Sequence, residues 1–249
     1  MKARAYQLTV DLGSFLIRRL EHLIARQSLV GTPAFFESDT FPWIRTVERQ
    51  WPLIRQELDV VLERRDELPS FHEISRGQSR ISDDRWAFFL YAYGFKADAN
   101  CRRCPETTRI VEAIPGMKTA FFSILAPGKH IPAHRGPYRG VIRYHLGLRV
   151  PEPREHCRIR VGDEIRHWEE GKSLVFDDTY EHEVWNDTPG TRVVLFVDFV
   201  RPLRFPASSL NRLLLKLIGW SPYVQDGVEN YKRWERKFDE MGREAANAA

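Results

Sequence analysis

From Trp86 to Val200 the sequence breaks into short runs rich in aromatic and β-branched residues, each closed by Gly, Pro, Asn or Asp. The runs are Trp86–Tyr93, Thr119–Leu125, Val141–Val150, Cys157–Val161, Ser173–Phe176, Glu181–Trp185 and Thr191–Val200. Segments this short, punctuated this often by turn formers, predict an antiparallel β domain. Val193–Val200 is nearly all apolar and reads as a central strand covered on both faces. Val141–Leu148 alternates instead: Ile142, Tyr144 and Leu146 point one way, and Arg143, His145 and Gly147 the other. Two polar side chains then share one face.

Helices are expected on either side. In Met1–Leu29, Leu12, Leu16, Leu20, Leu23 and Ile24 fall at helical spacing, while Asp11, Arg18, Arg19 and Glu21 break the run too often for a signal peptide. Such a helix either packs on the domain or lies on a lipid surface. Gly31–Trp43 reads as loop, and Ile44–Leu68 as one helix with a stripe of Leu53, Ile54, Leu58, Val61 and Leu62. Pro69–Asp84 is polar and turn-rich. After Arg201-Pro202 a helix with Leu210, Leu213, Leu214, Leu215, Leu217 and Ile218 precedes a charged, frayed tail.

Several function classes drop out on composition. Seven Trp, 15 Phe and eight Tyr in 249 residues are ample for a core, so no disulfide scaffold is needed. Three cysteines, Cys101, Cys104 and Cys157, are few and odd in number, which predicts reduced thiols and a cytoplasmic chain. No stretch reaches the roughly 20 apolar residues of a membrane span. The net charge of +4 fits an anionic substrate or surface. No basic-plus-aromatic nucleic-acid signature, Gly-rich phosphate loop or Ser-His-Asp order is visible, so no nucleic-acid partner is expected. Cys101-Arg-Arg-Cys104 has the spacing of half a zinc knuckle and lacks a second pair. The cations Arg135, Arg139, Arg154, Arg158, Arg160 and Arg166 are either solvated or form a basic rim.

Of eight histidines, His134 and His182 stand far apart in the sequence, and imidazoles from two distant strands can converge on a divalent first-row metal. Either alone reads as structural or surface. Arg192, ten residues after His182 and inside the last apolar strand, changes that balance. A buried guanidinium needs an anion. That anion is either Asp187 or Asp198 of the chain, or the carboxylate of a small dicarboxylate held bidentately.

The ordered motifs His134-Arg-Gly-Pro, His145-Leu-Gly-Leu, Trp168-Glu-Glu-Gly-Lys, Phe176-Asp-Asp-Thr-Tyr-Glu-His-Glu-Val-Trp185 and Arg192 resemble the aspartyl/asparaginyl β-hydroxylase family, which includes bacterial lipid A and ornithine-lipid 2-hydroxylases. The resemblance covers roughly residues 86–202 and leaves the helical flanks out. It implies a mainly β fold with flanking helices around a double-stranded β-helix (jelly-roll, cupin-like) core: a helical region at 1–84, the core at 85–202 and a helical extension at 203–249. It further implies a dioxygenase using Fe(II), 2-oxoglutarate and O2, with His134 and His182 on the iron and Arg192 on the distal carboxylate of 2-oxoglutarate. By the same matching Ser123 adds a hydroxyl to that carboxylate, and Arg143 and His145 reach cosubstrate or substrate. The commoner iron site of such enzymes has a carboxylate two residues after the first His, and Gly136 stands there. The family shares that absence; Asp177 or, by preference, Asp178 would hold a water in its place.

The two substrate classes are a lipid acyl chain, hydroxylated at the 2-position, and Asp or Asn of a peptide or protein. Leu210–Trp220, apolar with embedded Arg212 and Lys216, favours the lipid and a peripheral position on the inner face of a membrane. A non-catalytic jelly-roll binding module is the third reading.

Overall fold

The computed structural model describes residues 20–64, 68 and 85–248, with the side chains of Arg85, Tyr223 and 237–248 left aside. Leu12, Leu16 and the whole Pro69–Asp84 stretch therefore lie outside the described residues. The strands are β1 (Phe35–Phe36), β2 (Arg85–Ala92), β3 (Phe95–Lys96), β4 (Met117–Leu125), β5 (Lys129–His134), β6 (Val141–Arg149), β7 (Cys157–Val161), β8 (Glu164–His167), β9 (Ser173–Phe176), β10 (His182–Asn186) and β11 (Arg192–Val200). Besides the helical residues 20–26, the α-helices are α1 (Ile44–Arg49), α2 (Trp51–Glu63), α3 (Asp98–Arg103), α4 (Pro105–Glu112), α5 (Ala207–Gly219) and α6 (Pro222–Ala248).

The strands form a seven-stranded sheet in the order β1-β9-β6-β11-β4-β2-β3 and a four-stranded sheet in the order β5-β10-β7-β8. All their strand pairs are antiparallel. This is the expected jelly-roll sandwich with flanking helices. Strand β11, apolar except for Arg192 and Asp198, is central in the larger sheet, between β6 and β4.

Strand alternation divides the larger sheet into two faces. Ile142, Tyr144 and Leu146 of β6, with Val193, Leu195 and Val197 of β11, turn toward the helices and join Ile54, Leu58 and Val61 of α2 in one apolar cluster. Arg143, His145 and Gly147 turn toward the smaller sheet, as the alternation predicted. Between the sheets lies a second cluster containing Leu125, Ile131, Ile159, Trp168, Phe176, Val184 and Val194.

Helix α2 is tied to β6, an interior strand of the larger sheet, by Trp51, whose indole N–H donates to the Gly147 carbonyl at 2.9 Å. The Glu57 carboxylate accepts the backbone N–H groups of Glu106 and Thr107, both at 2.8 Å, and so caps α4.

The structure corrects three expectations. Ile44–Leu68 is not one helix: it breaks at Gln50, where Pro52 opens α2 at a helix start, the position proline tolerates. The segment 98–112, read as part of the β region, is α3 and α4. Cys101 on α3 and Cys104 between the two helices are buried in the core, and burial pushes both thiols up. Part of Gly31–Trp43, read as loop, is strand β1 paired with β9. The charged end of the expected helical extension is helix α6, whose Tyr231 packs with Phe89 and Phe121.

Candidate functional site

Strand β5 was not recognised in the sequence because Pro132 lies inside it and its alternation is interrupted. Both have one cause: β5 is an edge strand with a bulge. His182 pairs with His134 and Val184 with Ile131, so β5 spends one more residue than β10 over the same span. The bulge carries Pro132 and Ala133 and re-aims His134. The two imidazoles meet with ring centroids 4.1 Å apart.

Each ring is oriented the same way. His134 Nδ1 lies 2.8 Å from the Pro132 carbonyl and His182 Nδ1 lies 3.1 Å from the Tyr180 carbonyl, in both cases the residue two positions upstream. A carbonyl only accepts, so Nδ1 carries the proton and Nε2 carries the lone pair, the tautomer a metal ligand requires. Burial, then the neighbouring His134 and Arg143, push the pKa of His182 down to about 3. The ring is therefore neutral and able to donate its lone pair at ordinary pH. His134 is half-buried, which puts it toward the mouth. Among the described residues no group of three or more His, Cys, Asp or Glu converges as a complete cage.

Arg192 pairs across the larger sheet with Leu125, and Val194 with Ser123, so Arg192 and Ser123 share the inner face. Arg192 is 2% exposed. Its guanidinium lies over the ring of buried Trp168 at 4.8 Å. Its Nε and Nη1, and Nε1 of Trp168, have no hydrogen-bond partner among the described residues. The intramolecular alternatives are both engaged elsewhere: Asp187 pairs with Arg158 at 2.9 Å and Asp198 with Arg143 at 2.9 Å. Burial lowers the Arg192 pKa to about 10. A forked cation in a dry site with donors left over fits the carboxylate of a small diacid.

Rings connect the two halves. Trp168 lies 6.0 Å from His145, His145 lies 5.0 Å from Phe176, and Phe176 lies 5.9 Å from His182. Arg143 spans Asp178 and Asp198, each at 2.9 Å, and covers the Phe196 ring at 4.3 Å. All seven candidate residues thus belong to one neighbourhood between the sheets.

Asp177 and Asp178 behave differently. Asp177 is fully buried in an ion pair with fully buried Arg201 at 2.6 Å and also accepts from the Thr179 N–H, so it fastens the turn before β10. Asp178 turns to Arg143 and Gly136, and burial pushes its pKa up to about 7 against the pull of Arg143. The Gly136 N–H donates to the Asp178 carbonyl at 2.7 Å. A Cβ at Gly136 would lie 2.0 Å from Asp178 Oδ2. The third-ligand carboxylate is therefore sterically forbidden here, and the Asp178 carboxylate occupies the space beside it.

The basic rim is largely neutralised: Arg154 pairs with Glu169, Arg160 with Glu181 and Glu183, and Arg166 with Glu37. Trp168, quoted in the sequence only as part of a motif, is the residue whose role sequence reasoning missed, since its stacking on Arg192 is a long-range contact.

A family model described as aspartyl/asparaginyl beta-hydroxylase matches residues 48–202. The chain is 51% identical over 220 residues to the ornithine lipid ester-linked acyl 2-hydroxylase of Rhizobium tropici, covering 88% of this chain and 78% of that one. It is 36% identical over 166 residues to the human aspartyl/asparaginyl beta-hydroxylase, covering 64% of this chain and 21% of the human protein. Among solved structures, a Pseudomonas putida prolyl-4-hydroxylase is similar with a TM-score of 0.42 and 20% identity, over 61% of this chain and 88% of that one.

Proposed function

The chain belongs to the aspartyl/asparaginyl β-hydroxylase family, and from that premise we propose that it is an Fe(II)- and 2-oxoglutarate-dependent hydroxylase acting on a lipid acyl chain at the 2-position. The observation that carries the reading is the buried Arg192 guanidinium with unsatisfied donors on one sheet, joined through a chain of rings to the His134–His182 pair on the other.

In this reading His134 and His182 hold iron through Nε2, with both rings locked by their Nδ1–H bonds. Asp178 holds a water where a third protein ligand would otherwise sit. Arg192 and Ser123 grip the distal carboxylate of 2-oxoglutarate, and Arg143 and His145 border its other end. When bound, iron with 2-oxoglutarate and O2 supplies the oxidising power to hydroxylate an unactivated C–H bond, with decarboxylation to succinate. The chain positions that bond and keeps water out. Trp168, Phe176 and Phe196, all buried, make the dry wall that strengthens each charge contact in the pocket.

The lipid substrate is favoured because the likeness to the Rhizobium tropici acyl 2-hydroxylase extends over 88% of the chain, whereas that to the human β-hydroxylase spans 64%. No helix among the described residues is long and apolar enough to cross a membrane; the bilayer contact proposed here is a peripheral one on the cytoplasmic face. Two measurements test the function. Iron-dependent conversion of 2-oxoglutarate to succinate tests the cosubstrate chemistry, and its absence would return the protein to a binding module. Mass spectrometry of acyl lipids, set against Asp- and Asn-containing peptides, then assigns the added oxygen atom.

A further inference from the structure

We propose that the outward face of α5 is a docking surface for an anionic lipid bilayer; the proposal rests on the lipid reading for its purpose, and on the surface itself for its evidence. Helix α5 buries Ala207, Asn211, Leu215 and Gly219. The opposite side leaves Leu210, Leu213, Leu217 and, just past the helix end, Trp220 exposed, the last by 65%. At 3.6 residues per turn these four fall within about 80° of the helix circumference. Phe205, on the turn leading into the helix, is 82% exposed. Leu29 is exposed on the neighbouring segment, whose N–H donates to the Pro202 carbonyl at 2.9 Å. Leu210, Leu213 and Leu217 thus form one stripe along α5, with Phe205 before it and Trp220 at its end.

Charge selects the occupant. From Phe199 to Gln225 the sequence has no Asp or Glu. Arg204, Arg212 and Lys216 are all exposed there, and Arg212 and Lys216 lie along one flank of the apolar stripe. The Lys216 ammonium sits over the Trp220 ring at 5.1 Å, pairing an interfacial aromatic with a cation at headgroup level. A protein partner would meet an apolar stripe with no acidic counterpart on this side; an anionic bilayer satisfies both the stripe and its flank.

The placement suits delivery of substrate. Asn211, fully buried, accepts from the Tyr138 hydroxyl at 2.6 Å and donates to the Gly140 carbonyl at 2.9 Å. This fastens α5 to the loop that follows His134. At the other end Gly219 lets the helix rest on the Tyr93 backbone, since a Cβ there would stand 2.8 Å from the Tyr93 carbonyl oxygen. The docking face and the half-buried mouth imidazole are therefore joined by one short loop.

The test is co-sedimentation of the full chain with vesicles of phosphatidylglycerol and phosphatidylcholine, against phosphatidylcholine alone. The expected partition onto anionic vesicles is at least about tenfold higher, falling as salt shortens the Debye length. Leu213→Asp with Leu217→Asp, and separately Arg212→Glu with Lys216→Glu, should each lower it about tenfold without shifting the melting temperature, because these side chains are exposed. Equal binding to neutral vesicles overturns the proposal. So does a dimer, seen by light scattering, that the Leu213→Asp, Leu217→Asp variant dissolves, since a second copy would then own the face. Hydroxylation of a detergent-dispersed acyl lipid without any vesicle binding overturns the docking face and leaves the function standing. Vesicle binding with no lipid hydroxylation under any condition supports the face and removes the lipid reading.

Discussion

Arg192→Met separates stability from function in opposite directions. Among the described residues the Arg192 guanidinium is buried with Nε and Nη1 unpartnered, and burial lowers its pKa from 12.5 to about 10. At about 1.36 kcal/mol per pKa unit, that shift corresponds to roughly 3 kcal/mol by which the folded state disfavours the charged form. The folded pKa lies below the unfolded one and both lie well above neutrality. The cost is thus present throughout the neutral range and fades only as pH rises through about 10. Methionine keeps the unbranched apolar stem and removes the charge. Against the gain stands the stack on Trp168, about 1–2 kcal/mol for a desolvated cation over an indole. The net expectation is a variant more stable by about 1–2 kcal/mol, melting roughly 2–6 °C higher by scanning fluorimetry. In the same protein, anaerobic calorimetry should show 2-oxoglutarate binding weakened at least about 30-fold, since truncating one partner of a buried charge pair costs about 2–5 kcal/mol. A variant that melts several degrees lower while binding 2-oxoglutarate undiminished would refute the reasoning, because Arg192 would then have an intramolecular acceptor and no role toward the diacid.

His134→Ala or His182→Ala should lower Fe(II) affinity and turnover at least about 100-fold, read by metal titration and succinate formation, because each removes one of two imidazoles from the pair. Gly136→Asp should not create a working third ligand: its Cβ would collide with Asp178, so stability should fall by about 1–3 kcal/mol in chemical denaturation, with activity lost. Metal-free protein should lose stability as pH falls from the ordinary histidine range toward about 3, because unfolded His182 takes up a proton that the buried ring refuses. The slope is at most about 1.4 kcal/mol per pH unit from this group, and His182→Ala should flatten it.

Strands β2, β4, β6, β7, β9, β10 and β11, and the face that Arg143 and His145 share on β6, were legible because alternation and turn residues are local signals. The His–Arg trio was legible as a set of residue types and motif order. What was hidden depended on pairing. Pro132 and the bulge disguise β5, and only the ladder with β10 shows why a proline is tolerated there. Whether Arg192 met Asp187 or Asp198 was open until Arg158 and Arg143 were seen to take those carboxylates. The difference between Asp177 and Asp178 rests on Arg201, a residue more than twenty positions away in sequence and invisible to spacing arguments. Helices α3 and α4 escaped because their short segments carry no long apolar period, and α4 starts on a carboxylate, Glu57, borrowed from α2.

The His134–His182 pair is a rung of a backbone ladder, directly opposed on adjacent strands. The bite offered to a metal is thus inherited from main-chain hydrogen bonding and not from side-chain packing. Such a bite is insensitive to most substitutions around it and acutely sensitive to chain length. Removing a single residue from the tight connection at 126–128 would slide β5 by one position and swing His134 to the outer surface. The protein could keep its shape and lose its metal centre through an indel that touches no functional side chain.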